Sequence, residues 1–124
     1  MTHGYEADLV CQGFLTNINL EDYQYRAVLM NSDENIVLAS DEDLMLGVLQ
    51  DNPDASEVEK TCRVALRGIS MAIGSAEIEE GADVQVTDDG KFKTYSSGAY
   101  AGIAVTPCGG NGQRFSLEIN RVPS

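Results

Sequence analysis

Tryptophan is absent, histidine occurs once, and 8 basic residues stand against 20 acidic ones. Each scarcity narrows what the chain can do. His3 is the sole histidine and reads as a solvated residue near the start of the chain, so the usual base for a serine or cysteine nucleophile is missing. The three cysteines, Cys11, Cys62 and Cys108, are odd in number and widely spaced, and they form no Cys-x-x-Cys or Cys/His metal pattern. They are read as reduced thiols of a protein made in a cytoplasm, outside any disulfide framework. No apolar run approaches the roughly 20 residues of a membrane helix. Met1 to Asp8 carry neither the basic nor the apolar segment of a signal peptide, so none is expected. A net charge of −12 repels nucleic acid and anionic membranes alike, and neither is expected as a partner. The acidity serves solubility or a basic protein partner.

What is present is periodicity. Hydrophobic residues make up 43% of the 124 residues, with 12 Gly and 3 Pro, as befits a single turn-rich β domain with its own core. Cys62, Val64 and Leu66 alternate with Arg63, Ala65 and Arg67, the period of a half-buried strand. Val84 and Val86 alternate with Asp83, Gln85 and Thr87. Asp88-Asp89-Gly90 then supplies the positive-φ position of a tight hairpin, and Lys91-Phe92-Lys93 returns as its partner strand. Earlier, Arg26–Met30 and Ile36–Ala39 flank a polar turn. Leu44–Gln50 is an apolar run broken by Gly47, where a strand glycine marks a bulge or a close backbone approach. Ile69–Ile73 is a further short run, Ser75–Gly81 is spaced for one helical turn, and Phe115, Leu117 and Ile119 point inward from a last strand. The expected core is Cys62, Val64, Leu66, Val84, Val86, Phe92, Ile103, Phe115, Leu117 and Ile119.

The order of these units repeats. Val28 to Ile36 matches Val84 to Phe92, and each hairpin leads to an apolar run with a central glycine, Leu46-Gly47-Val48 or Ala101-Gly102-Ile103. Each run then leads through a polar loop to an alternating strand, Cys62–Leu66 or Phe115–Ile119. The expected fold is therefore all-β, a small β-barrel or sandwich built from two related hairpin-plus-strand units, with a short N-terminal arm. Residues 1–20 form that arm or a first strand, with a strand near Gln12–Ile18, and residues 21–124 form the β domain. Tyr5, Leu9, Phe14, Leu15 and Ile18 are more apolar than a free tail requires, and they are the candidate contacts to another subunit or a larger partner.

The candidate chemistry is thin. Asp41, Glu42 and Asp43, Glu77, Glu79 and Glu80, and Asp88 and Asp89 group carboxylates, but they fall in predicted turns, without the aromatic cleft a glycosidase needs. Asp88-Asp89-Gly90 lacks the alternate spacing of a calcium loop and is followed by Lys91 and Lys93. Gly109-Gly110-Asn111-Gly112 has no Lys-Ser/Thr and opens no helix, so it reads as a flexible turn. No catalytic residue, metal ligand or cofactor is assigned.

Several stretches resemble the small capsid decoration, or cement, proteins of tailed bacteriophages. These are Phe14–Leu20, Tyr25–Leu29, Leu46–Pro53, Val64–Gly68, Glu80–Val84 and Ala101–Val105, of which Gly47-Val48-Leu49-Gln50-Asp51-Asn52-Pro53 is the most telling. The likeness covers residues 14–119 and leaves the first 13 unmatched. It implies a non-enzymatic virion protein made in the host cytoplasm. Such a protein binds the major capsid protein on the outer surface of the assembled head, often as a trimer, and stabilises the head against internal DNA pressure. The acidic turns would then face solvent. The alternatives are a cytoplasmic β-barrel module binding a peptide or sugar, and a small enzyme.

Overall fold

The alternating segments become strands of one curled antiparallel sheet, a half-barrel, in a computed structural model that describes residues 6–122, the side chain of Val122 excepted. In chain order the strands are β1 (Ala7–Thr16), β2 (Ala27–Met30), β3 (Ile36–Leu38), β4 (Gly47–Leu49), β5 (Lys60–Ile73), β6 (Glu77–Ile78), β7 (Asp83–Val86), β8 (Phe92–Thr94), β9 (Tyr100–Ala104), β10 (Cys108–Gly109) and β11 (Arg114–Val122). The sheet order is β3-β2-β4-β5-β11-β9-β7-β8, with β1 also paired to β5, while β6 and β10 form a separate two-stranded sheet. The order reads alike from either end: hairpin, glycine strand, long strand. The two long strands, β5 and β11, meet antiparallel in the middle, with Gly68 opposite Ile119 and Ile73 opposite Arg114.

The repeat seen in the sequence is thus a repeat of pairing. Val28 lies opposite Gly47 and Val84 opposite Gly102. Val48 and Leu49 pair with Ala65 and Val64, as Ile103 and Ala104 pair with Glu118 and Leu117. Each half also closes on itself. A parallel bridge from Leu15 to Asn35 ties β1 to the start of β3, and one from Gly74 to Phe92 ties the end of β5 to β8. The first ring runs β1-β5-β4-β2-β3 and the second β5-β11-β9-β7-β8. β5 is long because it belongs to both, its first part to one ring and its last part to the other.

The core follows the rings. Val28, Ile36, Leu49, Cys62 and Val64 form one buried cluster with Leu20, and Phe14, Tyr23 and Leu66 pack against it. Val84, Phe92, Ala104, Phe115 and Leu117 hold the matching places in a larger cluster. There Phe92 and Phe115 meet edge-to-face at 6.1 Å. The larger cluster extends to Ala27, Val48 and Ala65 of the first half, whose neighbours Val28, Leu49 and Val64 belong to the smaller one. The 39–45 loop seals this junction. The Glu42 amide donates to the Val86 carbonyl (3.0 Å), and the Ala99 amide donates to the Glu42 carbonyl (3.2 Å).

The expected core residues are buried except Leu66 and Ile103, which are half-buried. Three local expectations change. The runs 61–67 and 69–73 are one strand, because Gly68 at φ +99° carries the chain on through a point where the Asp8 carbonyl presses too close for any side chain. Ser75–Gly81 makes no helical turn. Glu77 and Ile78 pair with Gly109 and Cys108, which buries Ile78, whereas so short a helix has no stability of its own. The first strand begins at Ala7 and ends at Thr16, rather than spanning Gln12–Ile18, and its described length is fully laid along β5.

Candidate functional site

The described part of the first segment is built into the first ring. Phe14 turns inward onto the smaller cluster, and Thr16 is wholly buried, with its hydroxyl donating to the Ile36 carbonyl at 2.9 Å. The chain then crosses the mouth of the ring, where the Leu20 amide donates to the Pro53 carbonyl (2.8 Å) and the Ala55 amide to the Ile18 carbonyl (3.3 Å). This is the role of the 47–53 stretch: after β4, Gln50 donates to the Ser70 hydroxyl (2.8 Å), and Asp51 accepts from the Arg63 amide (3.1 Å).

Of the candidate contact residues, Tyr5 lies outside the described residues, as does His3. Leu9 is half-buried against the larger cluster and Phe14 against the smaller. Leu15 and Ile18 stand at the surface, 45% and 37% exposed. Val10, not singled out from the sequence, joins them at 42%. Leu15 and Gly13 point away from the side on which Phe14 packs, and they face Thr61 and Arg63 across the ladder. The next exposed pair along, past a bulge, is Val10 with Arg67.

The carboxylate groups hold turns. Asp43 Oδ2 accepts from the Ser40 amide (2.9 Å) and hydroxyl (3.1 Å), Asp41 lies 3.9 Å from Lys93 Nζ, and the Glu42 side chain packs beside Gly98. Asp88 and Asp89 form the exposed 3₁₀ turn of the second hairpin, with Gly90 at φ +71°. Hydrogen bonds from the side chain and amide of Ser56 hold the Asp54 carboxyl below the usual carboxylate range. Among the described residues no cluster of histidine, cysteine, aspartate and glutamate is placed to hold a metal, and no helix is long and apolar enough to cross a membrane. Cys62 is wholly buried. Burial first, and the charge of Asp51 second, push its thiol up to about 11, which suits a packing residue and not a nucleophile.

One polar side chain departs from the alternation. Gln85 stands in the polar half of its alternation, yet it is fully buried because the 95–98 loop folds over it. Its Oε1 accepts from the amides of Ser96 (2.6 Å) and Ser97 (3.0 Å). Beside it Tyr100 donates to Asp83 (3.1 Å), and burial, with that bond, pushes the phenol up to about 12.

No protein-family model matches the chain, and no curated protein matches it. Among solved structures it is similar to the N base of the head fiber gp8.5 of bacteriophage phi29. The TM-score is 0.74 at 18% identity, over 93% of this chain and 98% of that one. At that identity the likeness is one of fold, and it embraces both rings.

Proposed function

We propose that this chain is a non-enzymatic structural protein of a tailed-phage virion. It attaches to the outer surface of the head, contacts the major capsid protein, sits there as a homo-oligomer, a trimer by the resemblance to decoration proteins, and stabilises the shell against the DNA inside. The observation that carries this reading is the fold likeness to a head-fiber base, which spans nearly all of both chains. The resemblance of short stretches such as Gly47–Pro53 to capsid decoration proteins points the same way. Charge agrees: at −12, a place inside the shell would set the chain against packaged DNA, and the outer surface carries no such cost.

The reading is tested by adding the purified protein to heads that lack it. Saturable co-sedimentation is expected, and DNA release from filled heads should move to higher temperature once the protein is bound. Failure to co-sediment overturns head attachment. Binding without a shift in DNA release would leave attachment standing and overturn stabilisation.

A further inference from the structure

Four strands of the second ring carry one row of side chains across their outer face. Asp83 lies opposite Ile103, and Ile103 opposite Glu118. On the other side, one rung beyond Val84 and Thr94, the Tyr95 amide donates to the Asp83 carbonyl (2.8 Å). Cross-strand partners share a face of the sheet. Val84, Ala104 and Leu117, which alternate with this row, belong to the larger core cluster, so the row itself faces outward. Asp83 and Glu118 are exposed, Ile103 is half-buried between them, and Tyr95 is 37% exposed. Strand spacing sets the backbones of Asp83 and Glu118 about 10 Å apart. Tyr100 completes the group. Its ring meets the Tyr95 ring edge-to-face at 5.9 Å, and its hydroxyl takes only Oδ1 of Asp83 (3.1 Å). The charges of both Asp83 and Glu118 act on that phenol.

The group is held in place before anything binds. Gln85 pins the Ser96 and Ser97 amides from beneath, and the Tyr95 hydroxyl donates to the Gly98 carbonyl (2.9 Å), so little side-chain freedom remains to be lost. What the group lacks is a cation. Asp41 faces Lys93, but neither Asp83 nor Glu118 has an ion-pair partner among the described residues. The molecule shows twice what a tyrosine ring of this kind takes. Arg26 lies 5.2 Å over the Tyr23 ring and Arg114 5.4 Å over the Tyr25 ring. The other two described tyrosines, Tyr95 and Tyr100, carry no guanidinium of their own.

We infer that the Tyr95, Tyr100, Asp83 and Glu118 patch receives an arginine side chain of the protein to which this chain attaches. Resting on the head-attachment reading, this places an exposed arginine on the outside of the shell. Charge complementarity draws it in: the chain carries −12, and these two carboxylates have no cation of their own. The rings then select a guanidinium, which stacks on an aromatic face and meets a carboxylate with a planar fork, over an ammonium, which is a point charge. Ile103 and the rings add apolar area that a protein surface buries and a bare cation leaves wet. Asp83 and Glu118 are strand residues, distinct from the acidic turns at 41–43 and 88–89 that stay in solvent.

The test is binding of full-length variants to heads that lack the protein, in low and moderate salt. Melting curves establish that each variant is folded. D83N/E118Q should bind at least about tenfold more weakly than the parent, with Y95L weakened similarly, and D88N/D89N, the same loss of charge on the second hairpin, should bind as the parent does. Parent binding should weaken as salt rises, and the D83N/E118Q difference should shrink with it. Folded D83N/E118Q that binds within about twofold of the parent overturns the inference and leaves head attachment intact. So does equal weakening by D88N/D89N, which would make net charge the cause. A second arm needs no heads. N-acetylarginine amide, titrated into the parent protein, should shift the nuclear magnetic resonance signals of Tyr95, Tyr100, Asp83 and Glu118 more than those of the acidic turns, and N-acetyllysine amide should shift them less. Shifts spread evenly over the acidic turns, or equal shifts with the two compounds, overturn the inference. Absence of head binding by the parent protein overturns the underlying reading, and this inference with it.

Discussion

An alanine methyl at Gly47 would collide with the Ala65 carbonyl and with Val64, and at Gly102 with the Glu118 carbonyl and Leu117. The obstacles occupy matching places in the two rings and are mostly backbone, which cannot swing aside. G47A and G102A should each destabilise the protein by about 2 kcal/mol or more, read from urea denaturation, whereas G109A, in a roomy exposed place, should stay within about 0.5 kcal/mol. The buried thiol of Cys62 sets a second expectation. Its value rises from 9.0 in the ordinary thiol to about 11 in the fold, so the folded state holds the proton that the unfolded state gives up. The stability this contributes is full below pH 9 and is lost as pH rises through about 11. Tyr100, raised from 10.0 to about 12, acts in the same sense at still higher pH. Denaturation at pH 8 and pH 10.5 should show a smaller loss for C62A than for the parent protein. An equal loss would mean that Cys62 titrates alike in both states.

The closing bridges of the two rings differ in how they are made, and this separates two substitutions that look alike. In the first ring the Ile36 carbonyl accepts from the buried Thr16 hydroxyl (2.9 Å). In the second the Phe92 carbonyl accepts from the Ser75 amide (2.8 Å) as well as its hydroxyl (3.3 Å). T16V should therefore cost about 1–3 kcal/mol, and S75A clearly less, because its amide bond survives. Equal costs would show that Thr16 does not hold the first ring shut. The hairpins, the glycine strands and the twofold order were legible in the sequence because each rests on a local period or a turn residue. The continuity of β5 was not, since Gly68 looks like a stop until Asp8 is seen packed against it. The start of β1 was hidden for the same reason: its bulges blur the period, and its partner lies far along the chain. The burial of Gln85 was not legible because the loop that covers it is polar and distant in sequence. Of the contact candidates, Leu15 and Ile18 do reach the surface, whereas Leu9 and Phe14 turn onto the core clusters.

For the whole molecule, two rings sharing one strand give a body whose acidic turns sit largely at hairpin tips and loop ends, and whose first strand, uncharged from Leu9 to Thr16, runs along one side. Such a body suits attachment by one side with the carboxylates left to solvent, where like charges keep neighbouring particles apart. The head attachment proposed above is the setting in which it is tested; the likeness to a head-fiber base is one of fold. The most direct measurement is a pair of electron-microscopic reconstructions of heads lacking the protein, before and after the purified chain is added. Outer-surface attachment predicts difference density the size of this β domain on the outside of the shell, repeated at equivalent positions. Density confined to the interior, or no difference at saturating protein, would contradict it.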